Sequence, residues 1–432
     1  MKHAGFIIAA THSGCGKTTF SLGLMRALKE KKMKVQPFKC GPDYIDTQFH
    51  AIATGRPSVN LDAFMCSEQH IRHLFCKHDA TANVSIVEGV MGMYDGYDRE
   101  QGSSYHLSTM LQLPVVLLVN AASTAYSVGA TIHGFKHFMA NADIVGVVFN
   151  RVGSETHYAL LQDACRNAGV TCLGYIAKDK QLETPSRHLG LTLDAKAKME
   201  AFIEHAKNAV VSHVDIDKLL ELTVRKQSEY CETQVPDNRP PLHIAVARDE
   251  AFNFIYPENI ESLRNHRRYE GHITFFSPIH DNILPPADLI YLPGGYPELY
   301  AEKLEKNVAL RQAIRHFAAN GGKIFGECGG MIYLCQEIDG KEMCGVLPMK
   351  CTMKDARLTL GYRKVELGET IFYGHEFHYS HLHDAHLLPS IAKQYNVKGM
   401  SVDTPVYRKG NAIATYSHLY WAENDLLKLW NL

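Results

Sequence analysis

The segment THSGCGKTT, Thr11 to Thr19, sets a lysine and adjacent hydroxyls behind two glycines. A loop of this kind, between a strand and a helix, turns backbone N–H groups and the helix dipole toward phosphate. Gly14 and Gly16 admit close backbone approach, Lys17 reaches the β- and γ-phosphates, Thr18 offers its hydroxyl to Mg²⁺, and Thr19 joins the nucleotide contacts. Thr11 stands where the strict P-loop pattern has glycine. A merely tight turn would leave the lysine without a purpose, so a nucleotide site is the better reading. Glu88 ends a hydrophobic strand in IVEGVMGMYDG, the place where nucleoside triphosphatases keep a magnesium-side carboxylate. In GPDYID, Asp43 and Asp46 follow the strand VQPFK, at the end of a strand where α/β sites lie. Glu88 and Asp46 are read with Thr18 as metal ligands. Asp43 and Asp95 stand between substrate contact and turn chemistry, because Gly, Pro and Asp also build turns.

A second centre lies in KIFGECGGMIYL, Lys323 to Leu334, which reads as strand, sharp glycine turn and helix with Cys328 at the apex. This is a nucleophile elbow with sulfur in place of a serine oxygen. The glycines permit the turn, and the helix N-terminus favours thiolate. Attack on an amide needs donors for the developing oxyanion, and the N–H groups of Gly295, in LPGGYPELY, and Gly329 would supply them. Cys66, Cys165, Cys172, Cys335 and Cys344 read as core. A base must come from elsewhere in the chain. His418, in the apolar strand ATYSHLYW, is one candidate, although a histidine in such a strand is more often a satisfied core residue. The cluster His375, His378, His381, His383 and His386 lacks the HExxH spacing of a zinc site and has no CxxC nearby.

The elements that must position these groups come in two alternating series. Phe6–Ala10, 85–90, 114–120 and 143–150 read as buried parallel strands, and Lys17 to Lys31 has helical spacing, which together predict a doubly wound α/β domain. A polar, proline-bearing stretch, 225–241, reads as a linker between a domain over 1–224 and another over 242–432. The second series has strands at 243–247, 272–277, 288–293 and 323–327, and from about Gly345 the pattern turns antiparallel. The 432 residues fit two domains, and 46% hydrophobic content suffices for sizeable cores. No apolar run approaches the roughly 20 residues of a membrane span. Lys plus Arg at 45 against Asp plus Glu at 46 removes the charge footprint of a dedicated nucleic-acid binder. Eleven cysteines without CxxC pairs suit reduced thiols in the cytoplasm, and Met1 to Ala10 reads as a first strand, not a signal peptide.

In order along the chain, the P-loop, KCGPDYIDT, VEGVMGMYDG, GVVFNRVGSETH, SRHLGL, AVARDEAFNFIYPEN, LPGGYPEL, GECGGMIYL, GHEFHYSH and ATYSHLYW resemble the cobyrinic acid a,c-diamide synthase family. Its members amidate side-chain carboxylates of the corrin ring in cobalamin biosynthesis. The resemblance implies an N-terminal ATPase domain similar to dethiobiotin synthetase and a C-terminal class I glutamine amidotransferase domain. It assigns Cys328 as nucleophile and His418 as its activator. Tyr420 stands where many class I glutaminases carry a glutamate, so a Cys–His dyad is expected. By the same resemblance Asn150 contacts the nucleotide base, and Arg187 and His188 lie near the corrin.

The implied chemistry uses ATP as co-substrate and Mg²⁺ to convert a carboxylate into an acyl phosphate, while Cys328 releases ammonia from glutamine. The ammonia, guided between domains, then attacks the acyl phosphate. Lys39 and Arg248 are candidates for recognising a corrinoid polycarboxylate. The expected partners are thus small molecules, with neither nucleic acid nor membrane, and an assembly of two copies is left open. The motifs leave room for the same chemistry on hydrogenobyrinic acid or nickel sirohydrochlorin, or for cobyric acid synthase. A P-loop switch of the partitioning-ATPase type with a degenerate amidase is the alternative from a different class.

Overall fold

Unbroken runs of Val, Ile, Leu and Ala, without polar alternation, form strands that must be covered on both faces. The computed structural model describes residues 3–182, 193–230, 242–265 and 272–430. The chain divides into two units, Met1–Glu232 and Thr233–Leu432. In the first, the elements run β1 (Ala4–Ala10), α1 (Lys17–Glu30), β2 (Val35–Cys40), α2 (Ile45–Thr54), β3 (Val59–Leu61), α3 (Glu68–Asp79), β4 (Val84–Glu88) and α4 (Ser104–Leu111). They continue with β5 (Val115–Asn120), α5 (Val128–His137), β6 (Ile144–Val152), α6 (Glu155–Ala168), β7 (Thr171–Ala177), α7 (Leu193–His213) and α8 (Ile216–Leu222). Every residue of β1 and β4 is buried, as the runs require. The sheet order is β3-β2-β4-β1-β5-β6-β7, with all neighbours parallel. The order reverses beside β1, which lies between β4 and β5, so a crevice opens at its carboxyl end.

The polar stretch expected to begin a linker at Arg225 is fastened to this unit. Asp79 accepts from Arg225 Nη1 at 3.2 Å and from the Ser228 N–H at 2.9 Å. The Gln227 amide donates to the Ala80 and Ala82 carbonyls at 2.9 and 3.0 Å. Among the described residues no helix is long and apolar enough to cross a membrane.

The second unit opens with β8 (Ile244–Ala247), α9 (Pro257–Asn265), β9 (Ile273–Phe276), β10 (Leu289–Leu292), α10 (Ala301–Lys306), α11 (Val308–Ala319), β11 (Lys323–Glu327) and α12 (Gly329–Leu334). Shorter strands follow: β12 (Glu337–Ile338), β13 (Lys341–Glu342), β14 (Lys350–Thr352), β15 (Thr359–Leu367), β16 (Thr370–His378) and β17 (His381–His383). The last are β18 (Lys393–Tyr395), β19 (Ser401–Val402), β20 (Val406–Lys409), β21 (Ala412–Thr415) and β22 (Ser417–Tyr420). One sheet is ordered β20-β21-β11-β10-β8-β9 and another, antiparallel, β19-β18-β15-β16-β22.

The segment ATYSHLYW, expected as a single strand, divides between these sheets. β21 runs parallel to β11, whereas β22 pairs antiparallel with β16. The Thr415 hydroxyl oxygen accepts the Ser417 N–H at 3.2 Å, a local turn that lets the chain change sheets at Tyr416. A buried carboxylate ties the two sheets together. Glu327, at the end of β11, accepts from the Leu419 N–H of β22 and from the Tyr291 hydroxyl, each at 2.7 Å.

Burial raises the Glu327 carboxyl to about 8, against the pull of its two donors. The folded state therefore holds this proton over a range where the unfolded chain releases it. The associated stability is complete below the ordinary carboxyl range and is lost as pH rises through about 8. Glu327→Gln should flatten the parent's decline in stability between pH 5 and 8, a decline of up to about 1.4 kcal/mol per pH unit. Urea unfolding midpoints across that range measure it, and parallel curves for parent and variant would remove the protonated carboxyl.

Candidate functional site

The loop after β1 carries Gly14 and Gly16 at φ 78° and 96°, in the left-handed region. A β-carbon on Gly16 would lie 2.2 Å from the Asn150 amide nitrogen, so glycine is required there by contact as well as by conformation. That amide donates to the Cys15 carbonyl at 2.7 Å, joining the end of β6 to the loop. Lys17, at the start of α1, donates to the Met91 carbonyl, and burial together with Lys39 lowers its pKa. Thr19 lies beside it and donates to the Leu182 carbonyl at 3.2 Å.

Strand register places the acidic groups. Lys39 of β2 lies level with Glu88 of β4, and Glu88 with Ile8 of β1. Lys39 Nζ bridges Asp46 Oδ2 at 2.6 Å and Glu88 Oε1 at 2.8 Å, while the Thr18 hydroxyl donates to Glu88 Oε1 at 2.9 Å. All three side chains of the bridge are buried. Burial opposes the Lys39 ammonium, but Asp46 and Glu88 outweigh it and raise its pKa. Burial and neighbouring Asp43 lift Asp46 to about 6 in spite of Lys39. Glu88 goes the other way: burial is outweighed by Lys39 and His50, and the carboxyl sits well below its usual range.

Thr18, Asp46 and Glu88 are hard oxygen donors, and a cationic ammonium already bridges the two carboxylates. The donor set therefore fits a divalent cation such as Mg²⁺. The groups line a cavity of about 730 Å³, to whose wall Arg151, Lys178 and Lys180 add positive charge. Asp43 and Asp95 take structural positions. Asp43 Oδ1 accepts the Ile45 and Asp46 N–H groups at the start of α2, and Asp95 Oδ2 accepts the Gly92 N–H at 3.0 Å. Lys39, expected as a substrate contact, lines the same cavity with its charge shared between carboxylates.

In the second unit Cys328 adopts φ 46° and ψ −104°, the strained apex expected between β11 and α12. Its N–H donates to the Thr415 carbonyl at 2.7 Å, and its thiol lies 3.7 Å from the Phe377 carbonyl. The turn after β10 comes close to both candidate residues. A β-carbon on Gly329 would be 2.9 Å from the Gly295 nitrogen, and one on Gly294 would be 2.2 Å from His418 Cε1. Gly295 and Gly329 thus meet beside the elbow, with the His418 ring one residue away. Burial, then Glu298, pushes the Cys328 thiol well above its usual range, and burial, then His375 and His378, pushes His418 well down. Thiol and imidazole are consequently both neutral near pH 7.

His375 is opposite His418 in the β16–β22 ladder and stacks on it with 5.0 Å between centroids. His378 stacks on Tyr416 at 3.6 Å and bonds Glu376 at 2.8 Å, while His381, His383 and His386 are exposed. Arg248 is exposed at the end of β8, over the Phe275 ring. Arg187 and His188 lie outside the described residues.

Sequence reasoning missed His50, Glu298 and Glu327. His50 follows Asp46 by one helical turn on α2, an i, i+4 spacing that was present in DTQFH. Glu298, in the turn after Gly295, is held at about 7 by burial, and no spacing announces it.

Comparison with known proteins gives two domain matches. Residues 6–191 match the CobQ/CobB/MinD/ParA nucleotide binding domain, and residues 243–426 match the CobB/CobQ-like glutamine amidotransferase domain. The chain is 41% identical over 399 residues to the cobyrinate a,c-diamide synthase of Caldanaerobacter subterraneus subsp. tengcongensis, covering 87% of this chain and 86% of the relative. It is 36% identical over 440 residues to that of Saccharolobus solfataricus, covering 97% and 98%. For the Salmonella typhimurium protein of the same name the figures are 36% over 452 residues, with 99% and 98% covered.

Asp46→Asn keeps a side chain of similar size at the start of α2 but removes a carboxylate from the oxygen set. ATP-dependent turnover with ammonium as nitrogen donor should fall roughly tenfold or more at low Mg²⁺. High Mg²⁺ should restore part of it, and glutamine hydrolysis measured separately should stay near the parent rate. Initial rates across a Mg²⁺ series decide the matter. An unaltered rate at low Mg²⁺ would remove Asp46 from the metal-holding set and leave Glu88 and Thr18.

Proposed function

The chain belongs to the cobyrinate a,c-diamide synthase family, and from that premise we propose that it amidates the a and c side-chain carboxylates of cobyrinic acid with ATP and glutamine. The observation that carries this reading is the conjunction, in one chain, of a P-loop facing buried carboxylates and a cysteine at a glycine elbow. The first suits phosphoryl transfer, and the second suits release of ammonia from an amide.

Ammonia cannot displace oxide from a carboxylate, so the carboxylate oxygen must first take the γ-phosphoryl group, giving an acyl phosphate and ADP. Backbone N–H groups of the loop and the Lys17 ammonium hold the phosphates and meet the charge that develops on transfer. Held by Thr18, Asp46 and Glu88, Mg²⁺ would neutralise phosphate charge. The Asn150 amide, bonded to the loop at Cys15 and lining the same cavity, is the candidate contact to the nucleotide base. Arg187, His188, Lys39 and Arg248 are the candidates for the corrinoid carboxylates.

At the second centre the neutral thiol of Cys328 passes its proton to His418 as sulfur attacks the glutamine side-chain amide. The N–H groups of Gly295 and Gly329 stabilise the oxyanion. Collapse of the tetrahedral adduct, with the proton given from His418 to nitrogen, releases ammonia and leaves a glutamyl thioester, which water hydrolyses. Ammonia attacks the acyl phosphate, phosphate leaves, and one amide is formed for each ATP and each glutamine.

Incubation with cobyrinic acid, glutamine and MgATP, followed by mass spectrometry, should find two amides added. Parallel incubations with hydrogenobyrinic acid and nickel sirohydrochlorin identify the preferred tetrapyrrole, and preference for either would displace cobyrinic acid. Cys328→Ala should lose glutamine-dependent amidation yet retain the reaction with high ammonium. Loss of both in a folded protein would contradict the separation. Lys17→Ala should lose amidation from either nitrogen source, by about a thousandfold if ~4 kcal/mol of transition-state stabilisation is removed. Near-normal ammonium-dependent rates in that variant would sink its phosphate role.

A further inference from the structure

The two oxygens of Glu88 have different neighbours. Oε1 accepts from Thr18 and Lys39, on the P-loop side. Oε2 accepts from His50 Nε2 at 2.8 Å, and the other ring nitrogen, Nδ1, lies 3.0 Å from the Ser58 hydroxyl oxygen. His50 is 0% exposed and Ser58 2%, so water does not compete for these bonds. A carboxylate can only accept, which places a hydrogen on Nε2. With both nitrogens engaged the ring plane is fixed by groups outside its own helix, Glu88 at the end of β4 and Ser58 just before β3.

This matters because the terminal torsion of a glutamate is broad and confines the carboxylate poorly. Lys39 and Thr18 both hold Oε1 and leave rotation of the group about that atom open. A fixed donor on Oε2 removes that freedom.

We propose that His50 is a positioning residue for the metal site: it holds Oε2 of Glu88 so that Oε1 stays turned toward Thr18, where a divalent cation is bound with the nucleotide. Ser58 acts one step further out, by fixing the ring. The inference rests on the reading of Glu88 and Thr18 as metal-holding residues. Removing a hydrogen-bond partner of a ligating carboxylate commonly costs about 10–100-fold in metal affinity.

The test uses the full chain saturated with ADP and titrated with Mn²⁺, free Mn²⁺ being read by electron paramagnetic resonance. His50→Leu should bind Mn²⁺ about 10–100-fold more weakly. His50→Gln, whose amide N–H reaches the place of Nε2, should bind close to the parent value, and Ser58→Ala should fall between the parent and His50→Leu. In ammonium-dependent amidation, His50→Leu should raise the Mg²⁺ concentration for half-maximal rate more than it lowers the rate at saturation. Glu88→Gln separates the two layers of the argument. If it binds Mn²⁺ as tightly as the parent, the metal reading of Glu88 fails. If Glu88→Gln is weak and His50→Leu is as tight as the parent, only the role of His50 is overturned. Should His50→Leu not fold, Ser58→Ala decides, and an unaltered Mn²⁺ affinity in that variant overturns the inference.

Discussion

A carboxylate removed from water must find positive charge and hydrogen-bond donors within its own surroundings. Glu88, fully buried at the end of β4, meets that requirement with groups from three elements: Thr18 from α1, Lys39 from β2 and His50 from α2. These contacts order the end of the crevice. The P-loop is joined to the sheet through Thr18, and α2 is joined through His50, which also brings Asp46 onto the face that meets Lys39. The groups best suited to a cation and a phosphate are therefore assembled by a need that belongs to folding as much as to chemistry.

The second unit uses a buried carboxyl differently. Glu327 has two hydrogen-bond donors, the Tyr291 hydroxyl and the Leu419 N–H, and burial keeps its proton to about 8. What it joins is the strand that leads into Cys328 and the strand that holds His418, in two different sheets. Around Glu88 the carboxylate is charged and meets the Lys39 ammonium; around Glu327 the group is uncharged and meets only a hydroxyl and a backbone N–H. The contrast suits the chemistry on each side. Phosphoryl transfer handles several negative charges, whereas thiol attack on a neutral amide begins from a neutral pair.

The Gly294–Gly295 turn has an analogous part in the amidase. Its two residues lie against His418 on one side and Gly329 on the other, so the candidate oxyanion donors and the candidate base meet at one piece of backbone after β10. Glu298 follows in the same turn, and its charge adds to the burial that keeps the Cys328 thiol protonated.

Local chemistry was legible without coordinates wherever one segment contained the whole signal. The P-loop lies between a strand and a helix within a dozen residues, and the elbow at Cys328 is a strand, a glycine turn and a helix in succession, so spacing alone located both. The apolar runs likewise marked β1, β4, β5 and β6, because strands buried on two faces must be continuously hydrophobic. Spacing gave Asp46 and Glu88 as candidates but not their partners. The bridge through Lys39 exists because β2 and β4 are adjacent and in register, and His50 enters it through the packing of α2. The strand order that put them side by side is a property of the folded sheet. ATYSHLYW read as one strand because no Gly, Pro, Asn or Asp interrupts it, and only pairing with β11 and then with β16 divides it between two sheets. Sequence determined which side chains were chemically competent; tertiary structure decided which would be neighbours, because burial makes each polar group depend on elements that lie far from it along the chain.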